Sequence, residues 1–179
     1  MTIKKLLIGF INLLRYCRFP QPIHMLRVSL STHIQRKSGE MKIGKKFSTR
    51  RNVEINVREQ ACLVIGDHVF INSGSIITCR NHIHIGDNTI LGPGVMIFDH
   101  DHAIINGKPM HNRFESDTIH IGKNVWIGAG SIILKGSNIK DGSIVAAGSL
   151  VNKEIPEGNI FIQRRKSELM PIHCNENKN

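Results

Sequence analysis

From Ile121 to Val151 an aliphatic residue returns at every sixth position, at Ile121, Ile127, Ile133, Ile139, Val145 and Val151, with small or polar residues between. On an α-helix a step of six turns each side chain about 240° from the last, so no apolar face forms. A plain strand alternates every second residue. A chain that makes a short strand, turns a corner and repeats sends one of these side chains per side into a shared interior. A six-residue period is the mark of such a β-helix, in which three sides make a turn of about 18 residues.

The step can be followed back along the chain. Its first recognisable unit is Ile43-Gly44. The phase is loose from Phe47 to Leu63, with Ile55 as an inward position, and it firms at Ile65, Ile71 and Ile77. After a two-residue slip it resumes at Ile85, Leu91 and Ile97, leaves for a polar stretch from Ala103 to Thr118, and returns at Ile121. Long departures from a compact repeat are commonly functional, so this loop is expected to wall a site. Glycine directly after the inward residue (Gly44, Gly66, Gly86, Gly92, Gly122, Gly128) suits corners with unusual backbone angles. The pattern therefore predicts an all-β chain: a β-helix over 41–156 with an excursion loop at 103–118, an N-terminal basic, helical cap over 1–40, and a tail over 157–179.

The apolar run Leu6–Leu14, before Pro20, predicts a short helix. It falls short of the roughly 20 residues that cross a bilayer. Two uses fit it: covering the open end of the solenoid, or lying in a membrane interface beside its basic neighbours.

Composition agrees with a narrow interior. Sixteen glycines and 5% aromatics leave the core to branched aliphatics. The net charge of +10 is more informative for where it lies: residues 1–60 hold 13 Lys and Arg against three acids, and the remainder is neutral. Nucleic acid, an anionic membrane or a polyanionic substrate would each suit such a region. The four cysteines (Cys17, Cys62, Cys79, Cys174) form no C-x-x-C pair and read as free thiols.

The densest chemistry is Ile97-Phe98-Asp99-His100-Asp101-His102, immediately before the excursion. In extended chain the two histidines face one side and the two aspartates the other. A histidine here could be a general base, the pair could bind a metal, or the segment could be a solvated corner.

The stretch Ile85-Gly86-Asp87-Asn88-Thr89-Ile90-Leu91-Gly92-Pro93-Gly94-Val95-Met96-Ile97, the histidine after it, and Ile121-Gly122-Lys123-Asn124-Val125-Trp126-Ile127-Gly128-Ala129-Gly130 resemble the hexapeptide-repeat acetyltransferases. The likeness covers about residues 41–156 and is greatest to the maltose/galactoside and polysaccharide O-acetyltransferase branch. It implies a left-handed parallel β-helix, a homotrimer with active sites between subunits, and acetyl-CoA as co-substrate, with no metal and no nucleic-acid partner. It implies that His102 is the general base, that Asn72 contacts the acceptor or the transition state, and that His100, Asp99 and Trp126 lie at the acceptor. Gly128, Ala146, Asn152 and Lys153 match positions along the pantetheine arm, and Lys153 with Arg164-Arg165-Lys166 would hold CoA phosphates. The tail departs from the family, reading Phe161-Ile162-Gln163-Arg164-Arg165-Lys166 where relatives continue with Gly-x-Pro-Ala. The acceptor implied is a sugar hydroxyl in a capsule or lipopolysaccharide precursor, handled in the cytoplasm at the inner face of the membrane, with peripheral membrane contact through the N-terminus. Alternatives are a nucleotide-sugar N-acetyltransferase, a non-catalytic β-helix scaffold, and a γ-type carbonic anhydrase. The last needs histidines five residues apart, whereas His100 and His102 are two apart.

Overall fold

The computed structural model describes residues 27–164. The predicted N-terminal helix, Cys17, Cys174, Arg165 and Lys166 lie outside them. Three six-stranded parallel sheets wrap around one interior. The first face stacks His33–Arg36, Glu54–Val57, Ile76–Cys79, Met96–Phe98, Ile132–Leu134 and Leu150–Val151. The second stacks Glu40–Ile43, Cys62–Ile65, His82–Ile85, Ile119–Ile121, Asn138–Ile139 and Glu154–Ile155. The third stacks Ser48–Thr49, Phe70–Ile71, Ile90–Leu91, Trp126–Ile127, Ile144–Val145 and Ile160–Phe161. Each strand pairs with the strand one coil away, never with its neighbour in sequence, so the strands form the all-parallel solenoid that the six-residue step predicts.

The step is kept strictly at two corners. From second face to third, Ile43 leads to Thr49, Ile65 to Ile71, Ile85 to Leu91, Ile121 to Ile127 and Ile139 to Val145, always six residues on. From third face to first, Ile71 leads to Ile77, Leu91 to Ile97, Ile127 to Ile133 and Val145 to Val151, again six. All variation falls at the corner from first face to second, where the inward pairs are Ile34 and Ile43, Ile55 and Ile65, Ile77 and Ile85, Ile97 and Ile121, Ile133 and Ile139, and Val151 and Ile155. The loose phase before Leu63 and the slip before Ile85 are surplus residues at this one corner. The excursion leaves from it too.

The interior is a continuous stack of aliphatics, with Ile77, Ile97, Ile127, Ile133 and Val145 fully buried. Fully burying such a side chain is worth about 1.5–3 kcal/mol. In the last coils the residue two places before each inward aliphatic is a buried serine, at Ser131, Ser137, Ser143 and Ser149. Serine fits because its hydroxyl donates to a backbone carbonyl at the corner, as Ser143 Oγ does to Pro156 O at 2.8 Å and Ser137 Oγ to Leu134 O at 2.6 Å. Ser137→Ala is expected to lower stability by about 1 kcal/mol in chemical denaturation, the typical net worth of one such bond.

The corner glycines serve a different purpose from the one their position suggests. Positive φ falls three residues after the inward position, at Asn124 (φ 54°) and Gly130 (φ 65°), not at Gly122 or Gly128. The glycine directly after the inward residue is required by the next coil. A Cβ on Gly86 would lie 2.6 Å from the backbone of Gly122, and one on Gly128 would lie 2.5 Å from Ala147 N.

Candidate active site

The excursion is a two-stranded antiparallel hairpin, His100–Ile105 with Lys108–Ser116. Asn106 (φ 51°) and Gly107 (φ 74°) form its two-residue turn, between the paired Ile105 and Lys108. Two consecutive left-handed residues match the twist of a tight hairpin, which is why Asn-Gly is favoured there. The register shifts between His102, opposite Phe114, and Ile104, opposite Pro109, so residues 110–113 bulge across from Ala103.

That bulge sets the chemistry of His102. Its Nδ1 lies 2.8 Å from Met110 O. A carbonyl oxygen only accepts, so Nδ1 carries the proton and donates it, and Nε2 is left with an open lone pair. The ring packs at 4.7 Å on Phe114 and is otherwise exposed. His100, two residues back on the same side of the strand, meets Phe114 edge-on at 5.6 Å and Phe98 at 6.4 Å.

The aspartates do not share a face as simple alternation would have it. Asp99 is buried at 0% exposure. Its carboxylate accepts from Arg80 N at 2.9 and 3.0 Å, from Asn81 N at 2.8 Å and from His100 Nδ1 at 3.0 Å. Burial pushes its pKa up, but the bonds from His100, Asn81 and Arg80 outweigh that and hold the carboxyl below its ordinary range. Asp99 thus ties the base of the hairpin to the previous coil and orients His100, not His102. Asp101 points the other way, to Lys135 Nζ at 3.1 Å, which also reaches Glu115 at 3.6 Å. Beside Asp99, burial and then that carboxylate push the Cys79 thiol well above its ordinary pKa, so it stays protonated.

Phe114 and Arg80 complete the cluster, and neither stood out in the sequence. The Arg80 guanidinium lies 3.5 Å above the Phe114 ring. They are far apart in the chain and belong to no local pattern. The Asn106-Gly107 pair was the one local signal that could have placed Phe114 beside His102.

The other predicted residues sit elsewhere. Asn72, Gly128 and Ala146 follow inward residues at the corner from third face to first. Asn72 is outside the left-handed region, and its Oδ1 accepts from Ser73 N at 2.8 Å. Its amide Nδ2 has no acceptor among the described residues. Gly128 is buried beneath the next coil, but the exposed corner around it is small on three successive coils: Pro93-Gly94, Ala129-Gly130 and Ala147-Gly148. Asn152 and Lys153 are exposed at the corner the hairpin leaves, Lys153 with its Nζ 5.8 Å from the Phe161 ring, and Arg164 is exposed beyond the last strand. Trp126 projects from the third face, 53% exposed. It is in register with Ile90 (46%) and Ile144, and through Ile144 with Ile160 (60%), an apolar stripe down that face. Among the described residues no three His, Cys, Asp or Glu side chains are placed to hold a metal ion.

Comparison with known proteins matches the six-residue repeat on both sides of the hairpin. The repeat described as "Bacterial transferase hexapeptide (six repeats)" matches residues 118–153, and "Hexapeptide repeat of succinyl-transferase" matches 63–98. Galactoside O-acetyltransferase of Escherichia coli is 35% identical over 92 residues, 51% of this chain and 45% of that one. A provisionally named lipopolysaccharide biosynthesis O-acetyl transferase of the same organism is 27% identical over 135 residues, 70% of this chain and 69% of its own. A hexapeptide-repeat acetyltransferase structure from Vibrio cholerae superposes with a TM-score of 0.58 at 28% identity, covering 66% of each chain. The chain therefore carries the hexapeptide repeat of bacterial transferases on both sides of the hairpin, is similar to the acetyltransferases built from it, and its solenoid is their left-handed β-helix. It spans 69% of the length of that lipopolysaccharide-related relative but only 44% to 48% of several other curated relatives it matches.

Proposed function

We propose that the protein transfers the acetyl group of acetyl-CoA to a sugar hydroxyl in a surface-polysaccharide precursor, with His102 as general base. The observation that carries this reading is the His102 tautomer: Met110 O holds the proton on Nδ1 and leaves Nε2 exposed. A sugar hydroxyl ionises far above neutrality, so it must lose its proton as its oxygen attacks. His102 Nε2 takes that proton and returns it to the departing sulfur. Acetyl-CoA, as substrate, supplies the activated acetyl group. The Asn72 amide is the donor this chain offers to the developing oxyanion, and the run of small corner residues gives a narrow pantetheine arm room against the backbone.

One chain does not bring these parts together, because Trp126 and Asn72 lie away from the corner that carries His102. A homotrimer supports the reading, with the third-face stripe against a neighbour and each site completed across the interface. The basic first third supports work at the inner face of an anionic membrane, on the cytoplasmic side where acetyl-CoA is made. The test is thiol release from acetyl-CoA with a panel of sugars. Acceptor-dependent release is expected with hydroxyl acceptors. Equal use of an amino-sugar would move the reaction to N-acetylation, and no release with any acceptor would leave a scaffold.

A further inference from the structure

At the corner from first face to second, on the N-terminal side of the hairpin, Arg58 follows Val57 and Arg80 follows the Cys79 that pairs with it, so these two arginines stack on successive coils, while Arg36 ends its strand one register position earlier, paired with Val57. The Nε of each is buried without a hydrogen-bond partner, and among the described residues no other side-chain nitrogen or oxygen is in that state. Nor is any arginine among the described residues in an ion pair. Arg58 Nη1 reaches only Gln35 Oε1, at 3.5 Å, and the Arg80 guanidinium rests on the Phe114 ring. Burial and then the charge of Arg58 push the Arg80 pKa down, so these two cations stand close together. The nearby carboxylate of Glu59 is held by Lys37 at 2.9 Å.

Like charges set side by side with unused donors fit an anion, and the guanidinium fork matches phosphate oxygens. Successive coils lie about 4.8 Å apart, so Arg58 and Arg80 can each meet one phosphoryl group of a diphosphate. The pair ends at Phe114, which packs on His102. On the far side of the hairpin the same corner carries Lys135, Asn152 and Lys153. We infer that the Arg58–Arg80 corner is a subsite for the diphosphate of an activated, nucleotide- or lipid-linked sugar acceptor. The inference rests on the acetyl-transfer reading for the identity of the bound sugar as an acceptor. It separates the two substrates: acceptor phosphates on the N-terminal side of the hairpin, CoA on the other, and His102 between.

The experiment is calorimetric titration of the full chain, with CoA saturating, using inorganic pyrophosphate, UDP-glucose and farnesyl diphosphate. Pyrophosphate is expected to bind beside CoA, with Kd raised about tenfold in Arg58→Gln and less in Arg58→Lys, which keeps the charge without the fork. Tighter binding of UDP-glucose or of farnesyl diphosphate than of pyrophosphate, weakened in the same variants, supports the subsite and identifies a nucleotide or a lipid source. Absence of binding, displacement by CoA, or equal affinity in Arg58→Gln overturns it. The titration needs no turnover. A protein that binds pyrophosphate through Arg58 yet acetylates nothing overturns the transfer reading and leaves the subsite standing.

Discussion

His102→Ala is expected to lower kcat about 10²- to 10⁴-fold, the usual worth of a positioned general base. The reason is geometric. Met110 O fixes the proton on Nδ1, and Phe114 fixes the ring, so Nε2 is left with its lone pair already aimed. Alanine removes that proton acceptor. The side chain is exposed and stands on the hairpin outside the aliphatic stack, so the thermal midpoint should barely move. Loss of turnover with an unchanged midpoint separates a chemical role from a structural one. Wild-type turnover in the variant would remove His102 from the mechanism.

Asp99→Ala should behave in the opposite way, costing about 3 kcal/mol of stability, since a fully buried acceptor leaves two backbone donors and an imidazole without partners. For a chain of this size that is roughly 10 °C in thermal midpoint. Asp99→Asn keeps the shape but turns an amide donor toward the amides of Arg80 and Asn81, so it should recover only part of the loss. The pH dependence has a definite sign. A carboxyl whose folded pKa is depressed stabilises fully above its unfolded value of about 3.9, and that stability drains away as pH falls through the folded pKa. Denaturation midpoints between about pH 5 and pH 2 should therefore fall more steeply for wild type than for Asp99→Asn. Parallel slopes would contradict the assignment.

The later coils were legible because their inward aliphatics keep the six-residue step at every corner from Ile121 to Val151. The earlier coils blurred because a β-helix tolerates extra residues wherever they project outward, and Ile34 to Ile85 carries them at one corner. The candidate site at Asp99–His102 was legible from residue type. The division of labour was not, because His102 is oriented by Met110 O, a backbone atom without a sequence signature, and Asp99 by amides of another coil. The corner glycines misled for a similar reason: their lack of a Cβ serves the coil above, not their own dihedral angles. The N-terminal charge could be counted but not placed, and Arg58 meets Arg80 only because Val57 pairs with Cys79 one coil on.

Two corners of fixed length and one of free length make the solenoid a chassis with a single socket. Whatever is plugged in between Ile97 and Ile121, the strands on either side still meet their partners, since Ile97 pairs with Ile133 and Ile121 with Ile85 without using a residue of the insert. The piece that presents His102 can therefore be lengthened, shortened or exchanged as a cassette, and a change of acceptor need not disturb a single residue of the stacked interior.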